Sequence, residues 1–226
     1  MRLVLASNNA KKLIEMQQLL AGLPVELVAQ GRLGIAEADE PHATFIENAL
    51  AKARHAAAAT GGAAIADDSG LCVDALGGAP GVISAHYAGP IAPGLDPGPE
   101  REPEPERDPG REPGREAQRR AQDAANNARL LQALQGVAGR SAHFVCTLVA
   151  LRSAQDPQPL VAVGRWPAEI LCQPRGERGF GYDPLVYIPE LDRAVAELDA
   201  ATKNTHSHRA RAMAQMRQLL REVWRL

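Results

Sequence analysis

A chain of 226 residues with 45% hydrophobic and 23% charged residues is long enough to bury a substantial core and has the balance of an ordinary globular protein. Its formal net charge of -2 excludes a generic nucleic-acid binder, which needs a surplus of clustered Lys and Arg, but leaves room for a local basic pocket that takes a small anion. The three cysteines, Cys72, Cys146 and Cys172, are far apart and lack metal-ligand spacing, so they read as buried free thiols of a reducing compartment.

In chain order, Arg2 to Ala6 is a strand-like run too short for a signal peptide, and no apolar stretch approaches membrane-spanning length, so the expected location is cytoplasmic. Ser7-Asn8-Asn9-Ala10-Lys11-Lys12 leads into a helix predicted from Lys12 to Leu23, where Leu13, Met16, Leu19, Leu20 and Leu23 recur at helical spacing. The free N–H groups of such a helix start, beside Ser7, Asn9 and Lys12, are the parts of a phosphate cradle. The glycines of a P-loop are missing, and an N-capped surface helix with solvated lysines fits the same residues. A strand at Val25 to Gln30 precedes an acidic patch of Glu37, Asp39 and Glu40. Thr44 and Glu47 then form a capping box, starting a helix that runs to about Thr60 and stops at Gly61-Gly62. Asn48 and Lys52, four apart, share one face of it and can reach a common ligand.

The next apolar run, Ala63-Ala64-Ile65, ends in Ala66-Asp67-Asp68-Ser69-Gly70-Leu71. This reads as a buried strand delivering acid groups to a loop at its carboxyl end, the edge where open α/β sheets bind ligands. Neighbouring positions of an extended chain point to opposite sides, so one carboxylate is expected to face the ligand and the other to be structural. An Asp-Asp-Ser-Gly turn that satisfies its own backbone would leave the same letters. After a Gly/Pro loop from Val73 to Val82, residues 90–116 carry recurrent proline among Glu, Asp, Arg and Gly without apolar periodicity, and read as a flexible insertion. A helix is predicted from Glu116 to Gln135, and paired strands at Ala142 to Arg152 and Leu160 to Trp166, the second ended by Trp166-Pro167. Phe180-Gly181-Tyr182-Asp183-Pro184, before a strand at Leu185 to Pro189, joins an aromatic, a glycine and a carboxylate that suit a purine and equally suit plain packing. Ser207 caps a last helix reaching about Trp224, which clusters Lys203, His208 and Arg209 at its amino terminus. His206 and His208 are two apart with no third ligand, which argues against zinc.

Together these stretches resemble the family of non-standard purine nucleoside triphosphate pyrophosphatases, the inosine/xanthosine triphosphatases or dITP/XTP pyrophosphatases. The resemblance rests on six motifs in the family's order. They are Ser7-x-Asn9-x-x-Lys12; Thr44-Phe45-x-Glu47-Asn48-Ala49 with Lys52-Ala53; Ala66 to Leu71; Gly77-Gly78-x-Pro80-Gly81; Gly179 to Pro184; and Lys203 through Ser207-His208-Arg209. It implies an α/β fold with an elongated mixed sheet, flanking helices and two lobes around a substrate cleft. One nucleotide pyrophosphatase domain would span 1–226, interrupted at 90–116, and pair as a homodimer. The implied activity is Mg2+-dependent hydrolysis of dITP, ITP and XTP to the monophosphate and pyrophosphate, which cleanses the nucleotide pool. The implied partner is a purine nucleoside triphosphate, with no nucleic acid and no membrane.

Carried over by position, the resemblance makes Glu40 and Asp68 the metal-side carboxylates and Asp68 also the general base. Ser7, Asn9, Lys12 and Lys52 would hold the substrate's phosphates, with Ser69 beside them and Asn8, Ala10 and Lys11 in the same substrate-binding stretch. Phe180 would stack on the base and Asp183 take a ring N–H, with Gly181 and Tyr182 in the same stretch, while Lys203, His208 and Arg209 donate to the 6-oxo group. Where the family usually has Thr-Gly, an arginine and a glycine, this chain has Pro41-His42, His86 and Arg178. A pyrophosphatase for other modified nucleotides, or a catalytically weak nucleotide-binding protein, would carry the same motifs.

Overall fold

The computed structural model describes residues 1–90 and 113–226. The insertion read at 90–116 therefore lies, apart from its ends, outside the described residues. Seven strands form one sheet: β1 Arg2–Leu5, β2 Glu26–Ala29, β3 Ala64–Val73, β4 Ser141–Leu151, β5 Leu160–Ile170, β6 Val186–Ile188 and β7 Arg193–Ala194. They are hydrogen-bonded in the order β2-β1-β3-β4-β5-β6-β7. β1 runs parallel to β2 and β3, while β6 is antiparallel to β5 and β7, so the α/β sheet is mixed as expected. The helices are α1 Ala10–Leu19, α2 Phe45–Thr60, α3 Pro113–Ala133, α4 Ala200–His206 and α5 His208–Glu222. None of the described helices is long and apolar enough to cross a membrane.

The chain divides into two compact units, the first made of Met1–Leu71, His143–Pro167 and Asp199–Leu226. Its parallel strands are apolar on both faces and need a layer on each side. On one side Leu3, Leu5, Ile65, Cys146 and Leu148 meet Met16 of α1 and Met213, Met216 and Leu220 of α5. On the other, Val4, Ala64, Ala66 and Val149 meet Ala49, Ala53, Ala56 and Ala57 of α2. The helix side of this layer is alanine, and the next polar side chains on helix and strand, Lys52 and Asp68, are within reach of one another.

The second unit comprises Cys72–Ala142 and Ala168–Leu198. Here Glu169 and Ile170 pair with Tyr187 and Val186, and Tyr187 and Ile188 with Ala194 and Arg193. Its organising polar residue is Asn126 of α3, 2% exposed. Its amide donates to the carbonyls of Ser84 and Ala85 and accepts from the N–H of Ala88, fixing the 3₁₀ turn Gly81–His86 on the helix.

Several expectations need correction. The acid pair does not lie in a loop after a short strand, because β3 continues through it to Val73. The strand after Leu160 does not stop at Trp166-Pro167; its alternation of buried and exposed positions runs on to Ile170. Only Cys146 of the three free thiols is buried, Cys172 being exposed and Cys72 partly so. The capping box is half made: Thr44 Oγ1 accepts the Glu47 N–H, whereas the Glu47 carboxylate takes the Thr44 hydroxyl.

Candidate active site

Side chains alternate across a strand, and β3 uses the alternation to send two adjacent carboxylates to different partners. Ala64 and Ala66 lie in the alanine layer against α2, and Asp68, next on that face, meets Lys52 of α2 at 3.1 Å. Ile65 lies in the α1/α5 layer, and Asp67, next on that face, takes Lys12 of α1 at 3.1 Å with Arg209 of α5 3.5 Å away.

Asp67 is buried, which alone would raise its pKa, but Lys12, Arg209 and Lys52 hold the carboxyl well below the usual carboxylate range. Ser69, two residues on and on the same face, donates its hydroxyl to Asp67 Oδ2 at 3.0 Å. Arg209, 3% exposed, donates to Glu15 Oε2 at 2.7 Å. Burial works against this guanidinium, and Asp67 and Glu15 more than compensate. Glu15 has no signature in the sequence beyond its place on α1, so residue-by-residue reading passed over it. The result is a fixed array of alternating charge, Lys12–Asp67–Arg209–Glu15, with its ions matched.

Asp68 is different. Lys52 Nζ donates to Glu40 Oε2 at 2.8 Å and to Asp68 Oδ1 at 3.1 Å, so two carboxylates converge on one cation. Asp68 Oδ2 is buried without a hydrogen-bond partner among the described residues. Burial pushes the Asp68 carboxyl up, Lys52 pulls it part of the way back, and the like charge of Glu40 pushes it further, to about 6. Lys52 stays an ammonium because Asp68, Asp67 and Glu40 outweigh its own burial. Glu40 itself is 47% exposed at its side chain. Asn48, on the same face of α2, brackets the Glu40 segment, its Oδ1 accepting the His42 N–H at 3.0 Å and its amide donating to the His42 carbonyl at 3.2 Å; with Lys52 it also favours the ionised Asp68 carboxyl.

Two converging carboxylates, one with a buried, unpartnered oxygen, are a hard-donor set that fits Mg2+. Among the described residues no group of three or more His, Cys, Asp or Glu could hold a metal ion, which leaves the remaining positions of such a cation to water and phosphate oxygens, the shell Mg2+ favours.

Beside this pair, β1 ends and α1 begins. Ser7 Oγ accepts the Asn9 N–H at 3.2 Å, and Asn9 Oδ1 accepts the Lys12 N–H at 3.3 Å, so Asn9 acts as the cap of α1. Asn8 lies over Gly31, where a Cβ would come 2.6 Å from its Oδ1. The side chains of Ala10 and Lys11 lie outside the described residues. Lys12 is not the solvated lysine that an ordinary surface helix would present; Asp67 holds it.

At the start of α5, His208 stacks on Phe144 of β4 with ring centroids 4.9 Å apart and planes 20° apart. Burial, then Arg209 and Lys203, lower this imidazole well below its ordinary value, so it is neutral. Its Nδ1 is buried and unpartnered among the described residues. Lys203 does not share the amino terminus of α5; it belongs to α4, which Ser207 ends while its Oγ caps α5 through the Ala210 N–H. The close approach of β5 that supports this corner requires Gly164, whose Cβ would fall 2.0 Å from the His208 carbonyl oxygen.

In the second unit, Phe180 is 42% exposed, whereas Tyr182 is buried and donates its hydroxyl to the Ser84 carbonyl at 2.8 Å. Asp183, 3% exposed, accepts the Phe180 N–H at 3.0 Å through Oδ2. That turn needs glycine at 179, with φ +84° and a Cβ that would lie 2.0 Å from Asp183 Oδ2. Gly181 is held by Asp123 and Asn127 of α3, two residues that the sequence alone gave no reason to select.

The model of the Ham1 family matches residues 3–98 and 106–219. The chain is 64% identical over 224 residues to the dITP/XTP pyrophosphatase of Methylibium petroleiphilum, covering 99% of both chains. It is 65% identical over 226 residues to the dITP/XTP pyrophosphatase of Leptothrix cholodnii, covering all of both. Among solved structures it resembles a HAM1 protein from Coxiella burnetii, with a TM-score of 0.82, 40% identity, and 99% of this chain and 100% of that one covered. A nucleoside-triphosphatase / dITP/XTP pyrophosphatase from Mycobacterium abscessus aligns with a TM-score of 0.68 and 36% identity, covering 96% of this chain and 98% of that one. The chain belongs to the Ham1 family.

Proposed function

We propose that this protein hydrolyses non-standard purine nucleoside triphosphates, dITP, ITP and XTP, to the monophosphate and pyrophosphate. The activity is supported by full-length relatives named for it. The observation that carries the mechanism is the division of labour in β3, one acid locked among cations and its neighbour pushed up to about 6 with an open oxygen.

Asp68 and Glu40 are the residues that would hold Mg2+, which when bound neutralises charge on the triphosphate and orients the attacking water. Asp68 receives the water's proton through its second, buried and unpartnered oxygen. Lys52 and Lys12, each tethered by a carboxylate, and the capped start of α1 at Ser7 and Asn9 take the phosphates. Ser69 adds a hydroxyl beside them. For the base, the exposed Phe180 ring stacks and Asp183 accepts a ring N–H, while Lys203, neutral His208 and Arg209 donate to the 6-oxo group. Fixed donors are left unpaired against the 6-amino group of adenine, a mismatch that can cost roughly 10⁴–10⁵ in specificity. The working form is a cytoplasmic homodimer.

Chromatography of a dITP reaction tests the bond that is cut. The expected products are dIMP and pyrophosphate, with turnover stopped by a chelator and restored by added Mg2+. Accumulation of dIDP, or full activity in the chelator, contradicts the proposal.

A further inference from the structure

Gly181 is gripped on both sides by one helix. Its N–H donates to Asp123 Oδ2 at 2.8 Å, and its carbonyl accepts from Asn127 Nδ2 at 2.9 Å. Asp123 and Asn127 are one turn apart on α3 and so present an acceptor and a donor to a single residue. Gly181, at φ +63°, separates the exposed Phe180 ring from Tyr182 and Asp183, which are anchored to the Ser84 carbonyl and the Phe180 N–H. Asn126, between the two gripping residues, ties the same stretch of helix to the turn that carries Ser84. Phe180 is the one side chain of this stretch left exposed, on a backbone held at Phe180, Gly181 and Asp183.

We propose that Asp123 and Asn127 are positioning residues for base discrimination: by fixing both polar groups of Gly181 they set the angle between the Phe180 ring and the Asp183 carboxylate. This rests on the reading of Phe180 and Asp183 as base-binding. The donor directions make the two residues respond differently to similar changes. Asp123→Asn keeps an acceptor for the Gly181 N–H, whereas Asn127→Asp replaces a donor by a second acceptor that faces the Gly181 carbonyl. A structural prop that only filled space would tolerate both, since each pair is nearly isosteric.

The experiment compares kcat and KM for dITP and dATP in the wild type, Asp123→Asn, Asp123→Leu, Asn127→Asp and Asn127→Ala, with Phe180→Ala as reference. Exchange of the Gly181 amide proton is followed in each as a readout free of catalysis. The dITP/dATP ratio of kcat/KM should be held by Asp123→Asn and should fall about tenfold or more in Asp123→Leu, Asn127→Asp and Asn127→Ala, as expected for losing a charge-assisted or buried hydrogen bond. The loss should lie mainly in KM for dITP, and Gly181 exchange should quicken in Asp123→Leu. A ratio unchanged in Asn127→Asp while Phe180→Ala lowers kcat/KM for dITP overturns the positioning role alone. A kcat/KM for dITP left at the wild-type value in Phe180→Ala overturns the base-binding reading, and the positioning role with it. Should Asn127→Asp fail to fold, Asn127→Ala and Asp123→Leu decide the matter by the same criteria.

Discussion

Asp67 and Asp68 are chemically identical and adjacent, and the difference between them is made wholly by which layer each faces. Asp67 meets Lys12 and Arg209, so its ionised form is stabilised in the folded state. Its folded pKa lies below the unfolded one, and the resulting stability is present above about pH 4 and lost as pH falls further. Asp67→Ala strands two cations beside Glu15 alone, and urea denaturation at pH 7 should show a loss of about 3–5 kcal/mol. The gap to wild type should narrow at pH 3; a loss below about 1 kcal/mol at pH 7 would mean the array is not structural.

Asp68 has the opposite sign. Its folded value, near 6, lies above the unfolded one, so the protein loses stability as pH rises from about 4 through 6. Asp68→Asn should therefore abolish turnover while stabilising the metal-free protein at pH 7.5 by roughly 1–3 kcal/mol, with no gain at pH 4. Thermal melts in chelator at the two pH values check this. Equal destabilisation at both would show that the carboxylate is not held at a cost.

At the scale of elements, the corner formed by β5 and α5 depends on one missing Cβ. Gly164→Ala would place a methyl 2.0 Å from the His208 carbonyl oxygen and 2.4 Å from the Ala212 nitrogen, both backbone atoms. The first turn of α5 must shift, carrying His208 off Phe144 and Arg209 off Asp67. A stability loss of about 1–3 kcal/mol is expected, with a fall in dITP over dATP preference that matched-temperature kinetics would detect. Preference kept at wild-type level would show that His208 and Arg209 do not read the base. The elements themselves were largely legible, because helix periodicity, the Thr44 and Ser207 caps and the Gly61 stop are local signals. β3 and β5 were read too short for the same reason. A strand persists where its neighbours continue to pair with it, and acids or a proline inside it are tolerated when partners elsewhere in the chain receive them.

For the molecule as a whole, the motifs lay in the sequence because several side chains must meet a small ligand from fixed backbone positions, which constrains residue type at short spacing. The supporting residues did not. Glu15, Asn126, Asp123, Asn127 and Phe144 matter through partners 38 to 194 positions distant on other elements, and nothing local marks them. Asn48 carries a second role that spacing does not reveal: on the face it shares with Lys52, it also holds the loop at His42. The proposed activity is pyrophosphate-releasing hydrolysis of 6-oxo purine nucleotides other than those of guanine. Phosphate release from dITP, XTP, dGTP and dATP with Mg2+, each run with and without added inorganic pyrophosphatase, tests this most directly. Signal is expected only with the added enzyme and chiefly from dITP and XTP; phosphate released without it, or equal release from dATP, would overturn the proposed activity.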